Sequence, residues 1–154
     1  MKSTINILIR GSLLAVLLLT AGCSNKPSKI YYGEDECAHC RMIISDARFA
    51  SELVTETGKT YKFDAIECMA AFLSQHEDLN VETSKLWVHD FSNSDQWLSR
   101  DEAQFVHSQE IRSPMGLSLL ALPDGDAVQQ HLNRHPGDTV GWNQIMKMVH
   151  REWD

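Results

Sequence analysis

The sequence has few basic residues and none of the common catalytic motifs. Its 14 lysines and arginines face 21 aspartates and glutamates, which gives a formal net charge of −7. Nucleic acids and anionic membrane surfaces both require a basic patch on their partner, so this balance argues against either. The G-x-S-x-G, H-E-x-x-H and glycine-rich phosphate-binding patterns are also absent. We therefore expect no enzyme.

The sequence also lacks an apolar run long enough to be a good transmembrane helix. The N-terminal segment carries Lys2 and Arg10, followed by a short apolar stretch over 11–21. About 20 apolar residues are needed to cross a bilayer, so this pattern is typical of a secretory signal. Small residues directly before Cys23 resemble a bacterial lipobox, in which the cysteine is lipidated and becomes the new N-terminus.

Three segments follow from this pattern. We predict a signal peptide over 1–22, a lipidated N-terminus with a flexible tether over 23–30, and a folded domain over 31–154. The tether is polar and contains proline. A protein of this kind would lie at the periplasmic face, anchored through Cys23 to a bacterial membrane, with the outer membrane as one option.

Cysteine is scarce, and the number left after lipidation is odd. Only Cys37, Cys40 and Cys68 would remain in the folded domain. An odd number of thiols in an oxidising compartment cannot form disulfides alone. At least one thiol is therefore left over, which favours metal binding or a functional thiol.

The stretch over 36–42 (ECAHCRM) concentrates soft and borderline ligands. Thiolates and imidazole suit Zn(II) or Cu(I), whereas the thioether of Met42 is a good ligand only for Cu(I) among these. The C-x-x-C-x-M spacing therefore favours Cu(I). Three alternatives stay open from these residues: a zinc knuckle, a redox disulfide between Cys37 and Cys40, and a structural disulfide that closes a turn.

The rest of the chain predicts an α+β fold with two similar, small ββα-type halves, in which helices pack on antiparallel sheets. The halves extend over about 31–80 and 85–154. In the first, β-forming runs at 49–57 and 60–63 flank a Gly-Lys turn and precede a helix; Asp64 and Glu67 form a capping-box-like pattern at its start. The second half contains the following predicted elements: strands at 85–91, 103–111 and 117–122, a polar segment at 92–102, a helix at 126–134, and a last helix capped by Asp138 or Thr139.

Each half places a methionine in a turn. Met42 follows the cysteines, and Met115 lies between Pro114 and Gly116. If the halves are equivalent, the two turns face a shared cleft. Met115 is therefore a candidate partner of the cysteine loop.

Five landmarks, in this order, resemble the NosL family of copper-binding lipoproteins. They are the lipobox at Cys23, C-x-x-C-x-M at 37–42, F-D-x-x-x-C-M at 63–69, W-V-x-D-F at 87–91 and S-P-M-G at 113–116. The resemblance implies two ββα-type halves and a Cu(I) chaperone that acts outside the cytoplasmic membrane. It further implies a role in denitrification, namely copper delivery for metallocentre assembly of nitrous-oxide reductase, with a membrane transporter complex as partner.

The resemblance also implies that cysteine and methionine hold the copper. We predict Cys37, Cys40, Met42 and Met115 as metal ligands, with the roles of His39 and Cys68 open. One departure is that Arg41 stands where the family usually has glycine, so we expect the loop to be less free to adopt a positive φ. The alternative function is a lipid-anchored thiol–disulfide redox protein that uses Cys37 and Cys40.

Overall fold

The structure is a computed structural model that describes residues 26–79 and 81–153. The predicted signal peptide and the lipidation site at Cys23 lie outside the described residues. Within the described ranges, no helix has the length and apolar character needed to cross a membrane.

Within the described residues, two antiparallel sheets and three helices form the domain. The first sheet has the strand order β2-β1-β3-β4, and the second has the order β6-β5-β7. The strands are β1 Ser51–Val54, β2 Thr60–Phe63, β3 Lys85–Asp90, β4 Asn93–Ser99, β5 Gln104–His107, β6 Leu119–Leu122 and β7 Asp138–Val140. The helices are α1 Ile66–Gln75, α2 Gly125–Leu132 and α3 Trp142–Trp153. The predicted α+β fold with antiparallel sheets is thus confirmed.

Helix α1 is the central element of the core. Every residue from Ile66 to Leu73 is buried, because the helix packs on β1 and β2 on one side and on α3 on another. The predicted apolar face of the last helix is also present, with Ile145 and Val149 buried. Helix α1 therefore holds its side chains, including Cys68, rigidly inside the larger hydrophobic cluster.

The start of α1 differs from the prediction. Ala65 is the N-cap residue, and no side chain caps the helix. Asp64 and Glu67 are both buried, so neither forms the predicted capping box at a solvent-exposed helix end. Asp124, by contrast, caps α2 by accepting a hydrogen bond from the Ala127 N–H at 2.8 Å.

Two strands lie where none was predicted. β4 occupies much of the polar segment 92–102, and β7 includes Asp138 and Thr139, the residues expected to cap the last helix. β4 is an edge strand with most of its side chains exposed or half-buried, so it shows no strong apolar alternation. Because β3 and β4 join the first sheet, the boundary predicted between the halves does not coincide with the division between the sheets.

The end of the predicted tether lies against the first sheet. The Ser28 N–H and hydroxyl both donate to the Glu52 carboxyl group, at 2.7 and 2.8 Å. Ile30 is buried. The chain is therefore attached to the first sheet at Ser28, two residues before the predicted end of the tether.

Candidate metal site

The cysteine loop is closed by backbone hydrogen bonds. The Cys37 N–H donates to the Met42 carbonyl at 2.8 Å, and the Arg41 N–H donates to the Cys37 carbonyl at 3.1 Å. The Ala38 N–H donates to the Lys62 carbonyl at 2.8 Å, which fixes the loop to β2. The loop is therefore a short closed turn on the edge of the first sheet.

Arg41 adopts the backbone conformation that we expected it to resist. Its φ is +64°, in the left-handed region where glycine is favoured. A non-glycine residue there costs about 1–2 kcal/mol. The guanidinium group forms an exposed ion pair with Glu36 at 2.7 Å, which returns little of that cost. The rest of the loop therefore imposes this conformation on Arg41.

Three thiols meet beneath the loop. The Sγ atoms of Cys37, Cys40 and Cys68 all lie within 4.8 Å of one another, and all three cysteines are free. Cys37 and Cys40 come from the loop, and Cys68 comes from the first turn of α1. The structure thus unites the two predicted cysteine ligands and adds Cys68, which the predicted ligand set left out.

One thiol of the cluster is set up as a thiolate. The pKa of Cys37 falls to about 5, chiefly because the Cys68 thiol donates a hydrogen bond to it, and nearby backbone amides add to the effect. The same hydrogen bond, together with burial, raises the pKa of Cys68 far above its ordinary value. Burial and the neighbouring Cys37 raise the pKa of Cys40. Cys37 is therefore the thiol of the cluster that loses its proton most readily, and a thiolate suits a soft cation such as Cu(I).

Access to the cluster comes from the loop side. Cys37 and Cys68 are fully buried, whereas Cys40 is partly exposed and Met42 is 52% exposed. A metal ion would therefore reach Met42 and Cys40 first, and the buried thiols afterwards. The cavities found elsewhere in the described ranges contain none of these residues.

The other candidate ligands lie around the cluster. Met115 is partly buried and packs against the hydrophobic cluster that includes Cys37 and Cys68. His39 is partly buried, and its ring stacks on Trp153 with centroids 6.0 Å apart. The roles of Cys37, Cys40, Met42 and Met115 as metal ligands stay predictions, and those of His39 and Cys68 stay open.

Fold and site together define a class: a small α+β protein with a three-thiol cluster beneath a surface loop. The family model for NosL matches residues 30–150 of this chain. The chain belongs to the NosL family, as the sequence landmarks predicted.

The chain is also similar to a solved structure, the copper chaperone NosL from Shewanella denitrificans. The two share 21% sequence identity at a TM-score of 0.65, over 80% of this chain and 98% of that one. This likeness supports the fold. A comparison with curated proteins gives no match.

Proposed function

We propose that the protein is a lipid-anchored, extracytoplasmic Cu(I) chaperone that delivers copper for metallocentre assembly of nitrous-oxide reductase. The observation that carries the proposal is the cluster of Cys37, Cys40 and Cys68, whose Sγ atoms lie within 4.8 Å of one another. Thiolate and thioether sulfur are ligands that Cu(I) prefers. Membership of the NosL family and the likeness to a solved copper chaperone support the same role.

The graded exposure of the sulfurs suits binding followed by transfer. Buried Cys37 has a pKa of about 5, so its thiol is already deprotonated at neutral pH when copper binds. Exposed Met42 is a neutral and weaker ligand that an incoming group can displace. Copper would leave through a bridged intermediate in which the acceptor's ligand binds before the last thiolate lets go. No bond of an organic substrate changes in this process.

The surface around the loop supports transfer to a protein. Four large apolar side chains of the described residues are well exposed, and all of them lie within 31–43: Tyr31, Tyr32, Met42 and Ile43. Backbone hydrogen bonds and the bridge between Glu36 and Ile43 hold this segment together. Exposed apolar side chains on the segment that carries the proposed ligands would give the copper acceptor a surface to bind. A membrane transporter complex and nitrous-oxide reductase are the partners that the family resemblance implies, and a lipid anchor at Cys23 would hold the chaperone near them.

A redox function has one observation in its favour, which is the low pKa of Cys37. A thiol–disulfide enzyme attacks its substrate with an accessible thiolate. Here the thiolate is on fully buried Cys37, while the thiol with the raised pKa is on partly exposed Cys40. This order is opposite to what attack on a protein disulfide requires, so the copper function is the one we favour.

Cu(I) titration of the reduced full chain, purified in mild detergent, against a competing chromophoric chelator tests the proposal. We expect tight binding of one Cu(I), lost in a Cys40→Ser, Met42→Ala double variant. Glu56→Ala, on the exposed turn between β1 and β2, is a control that should bind normally. Unchanged binding in the double variant would contradict the site. Insulin reduction by the metal-free chain would instead favour the redox alternative. The delivery step is tested by the copper content of nitrous-oxide reductase in cells with and without the protein.

A further inference from the structure

Glu67 is a buried acidic residue whose burial serves no purpose in the helix itself. It lies in the first turn of α1, where an acidic side chain normally faces solvent and stabilises the helix terminus. Its exposed fraction is 0%, and its Oε2 atom has no hydrogen-bond partner among the described residues. Burying a carboxyl group in this way destabilises the fold. Burial accordingly raises the pKa of Glu67, against the opposing effects of the hydrogen bond from Ser113 and of the backbone N–H groups of Glu67 and Leu117.

The partner of Glu67 lies at the turn that carries Met115. The Ser113 hydroxyl donates to Glu67 Oε1. The same Ser113 oxygen accepts a hydrogen bond from the Ser118 N–H at 2.9 Å, and the Ser113 carbonyl accepts from the Gly116 N–H at 3.1 Å. Ser113 therefore closes the loop over 113–118 on itself and ties it to the start of α1.

The loop over 113–118 needs these hydrogen bonds because its backbone is strained. Gly116 has a φ of +87° and Ser118 a φ of +57°. For Ser118, whose side chain has a Cβ atom, the left-handed region is unfavourable. A strained backbone of this kind persists only where its surroundings over-determine it. The hydrogen bond from Ser118 to Ser113, and from there to Glu67, supplies that support.

The hydrogen bond between Ser113 and Glu67 joins two parts of the candidate metal site, the thiol cluster and the turn that carries Met115. Glu67 directly precedes Cys68, and Ser113 is two residues before Met115, which packs against the hydrophobic cluster containing Cys68. We propose that Glu67 and Ser113 are positioning residues that hold the thioether of Met115 beside the thiol cluster. This inference rests on the proposed copper function. Hydrogen-bonding partners behind metal ligands commonly change affinity by about 10–100-fold when they are removed.

A double-mutant cycle on Cu(I) affinity tests whether Ser113 acts through Met115. We expect Ser113→Ala and Met115→Leu each to weaken Cu(I) binding by about tenfold. In the double variant we expect no further loss, because the positioned thioether is already gone. Independent losses that multiply in the double variant would overturn the proposal.

Two controls separate positioning from a general loss of stability. Ser108 is equally buried, and its hydroxyl donates to the Pro136 carbonyl at 2.7 Å. Ser108→Ala should thus lower stability and leave Cu(I) affinity unchanged, and an equal loss of affinity there would overturn the proposal. Glu67→Gln keeps an oxygen that accepts from Ser113 and should retain affinity, whereas Glu67→Leu should bind like Ser113→Ala.

A measurement on the unmodified chain covers the case in which these variants do not fold. With ¹³C-methyl-labelled methionine, the Met115 signal should shift on addition of one equivalent of Cu(I), and a Met115 signal that stays in place would overturn the proposal. Failure of the unmodified chain to bind Cu(I) would refute the proposed function. Normal binding with multiplying losses in the cycle would refute the positioning role alone.

Discussion

If Cys37 and Cys40 are the only thiols that bind copper, Cu(I) binding should become about tenfold tighter for each pH unit between roughly pH 6 and 8, and not a hundredfold tighter. Affinity rises with pH by one power of ten for each proton that the metal displaces. Two ordinary thiols would release two protons. In this structure the pKa of Cys37 is about 5, so near neutral pH this ligand has already lost its proton. Of the predicted pair, only Cys40, whose pKa is raised, would still have a proton to lose.

Cu(I) affinity should rise with pH over the whole range, but the steepness of the rise should change. Below about pH 5, Cys37 is protonated as well, and the affinity should then change by about a hundredfold per pH unit. Cys68 would add one more displaced proton at neutral pH if it bound copper as a thiolate. A Cys68→Ser variant removes that complication, because the serine hydroxyl can still donate to Cys37 and keep its pKa low.

The assay is competition with a chromophoric Cu(I) chelator whose own protonation constants are known, at pH values from about 4.5 to 8. In the Cys68→Ser variant we expect a slope of one above pH 6 and two at the acid end. A slope of two over the whole range would refute the low pKa of Cys37. The slope of the unmodified chain then reports on the third thiol, since a value of two near pH 7 means that Cys68 also binds as a thiolate.

Three further predictions concern the scaffold and are measured by urea or thermal unfolding of the metal-free chain. Arg41→Gly should be more stable than Arg41→Ala by about 0.5–1 kcal/mol, because only glycine adopts the positive φ without strain; equal stabilities would contradict this. Gly137→Ala should destabilise by about 1–3 kcal/mol, because its new Cβ would lie 2.5 Å from the His107 carbonyl oxygen, whereas Gly125→Ala meets open space and should cost nothing. Glu52→Ala should destabilise by about 1–3 kcal/mol and release the segment at Ser28 to limited proteolysis, and uncut chain would argue against this attachment.

Local patterns were enough to predict the central part of the fold. The glycine turn at Gly58, with a φ of +83°, joins β1 and β2 as expected. The 3.6-residue period of α1 and the apolar run of β6 could also be read from the sequence, because both elements are buried and buried elements are rich in apolar residues. The exposed edge strand β4 has no such apolar pattern, so it was not predicted.

The site was predictable only in part, because its last members come together through tertiary structure. The spacing of Cys37 and Cys40 is a local signal, whereas the approach of Cys68 depends on how α1 packs on the sheet. The predicted capping-box role of Glu67 was wrong for a related reason. Its distance from Asp64 matches a capping box, and no sequence pattern shows that its partner is Ser113, 46 residues away. The odd number of thiols and the F-D-x-x-x-C-M landmark at 63–69 were the sequence features that pointed to Cys68.

The departure at Arg41 bears on how the loop can serve as an exchange site. Glycine at this position would adopt the positive φ without strain, so the closed loop would store none. Arginine is held there by the closed hydrogen bonds between Cys37, Arg41 and Met42, so opening the loop would release the strain at Arg41. Displacement of Met42 by an acceptor is thus expected to be helped by the strain that the closed loop stores. A chaperone must hold Cu(I) tightly and still give it up. In the proposed site the two demands would fall on different residues, the buried thiolate of Cys37 for retention and the strained, exposed end of the loop for release.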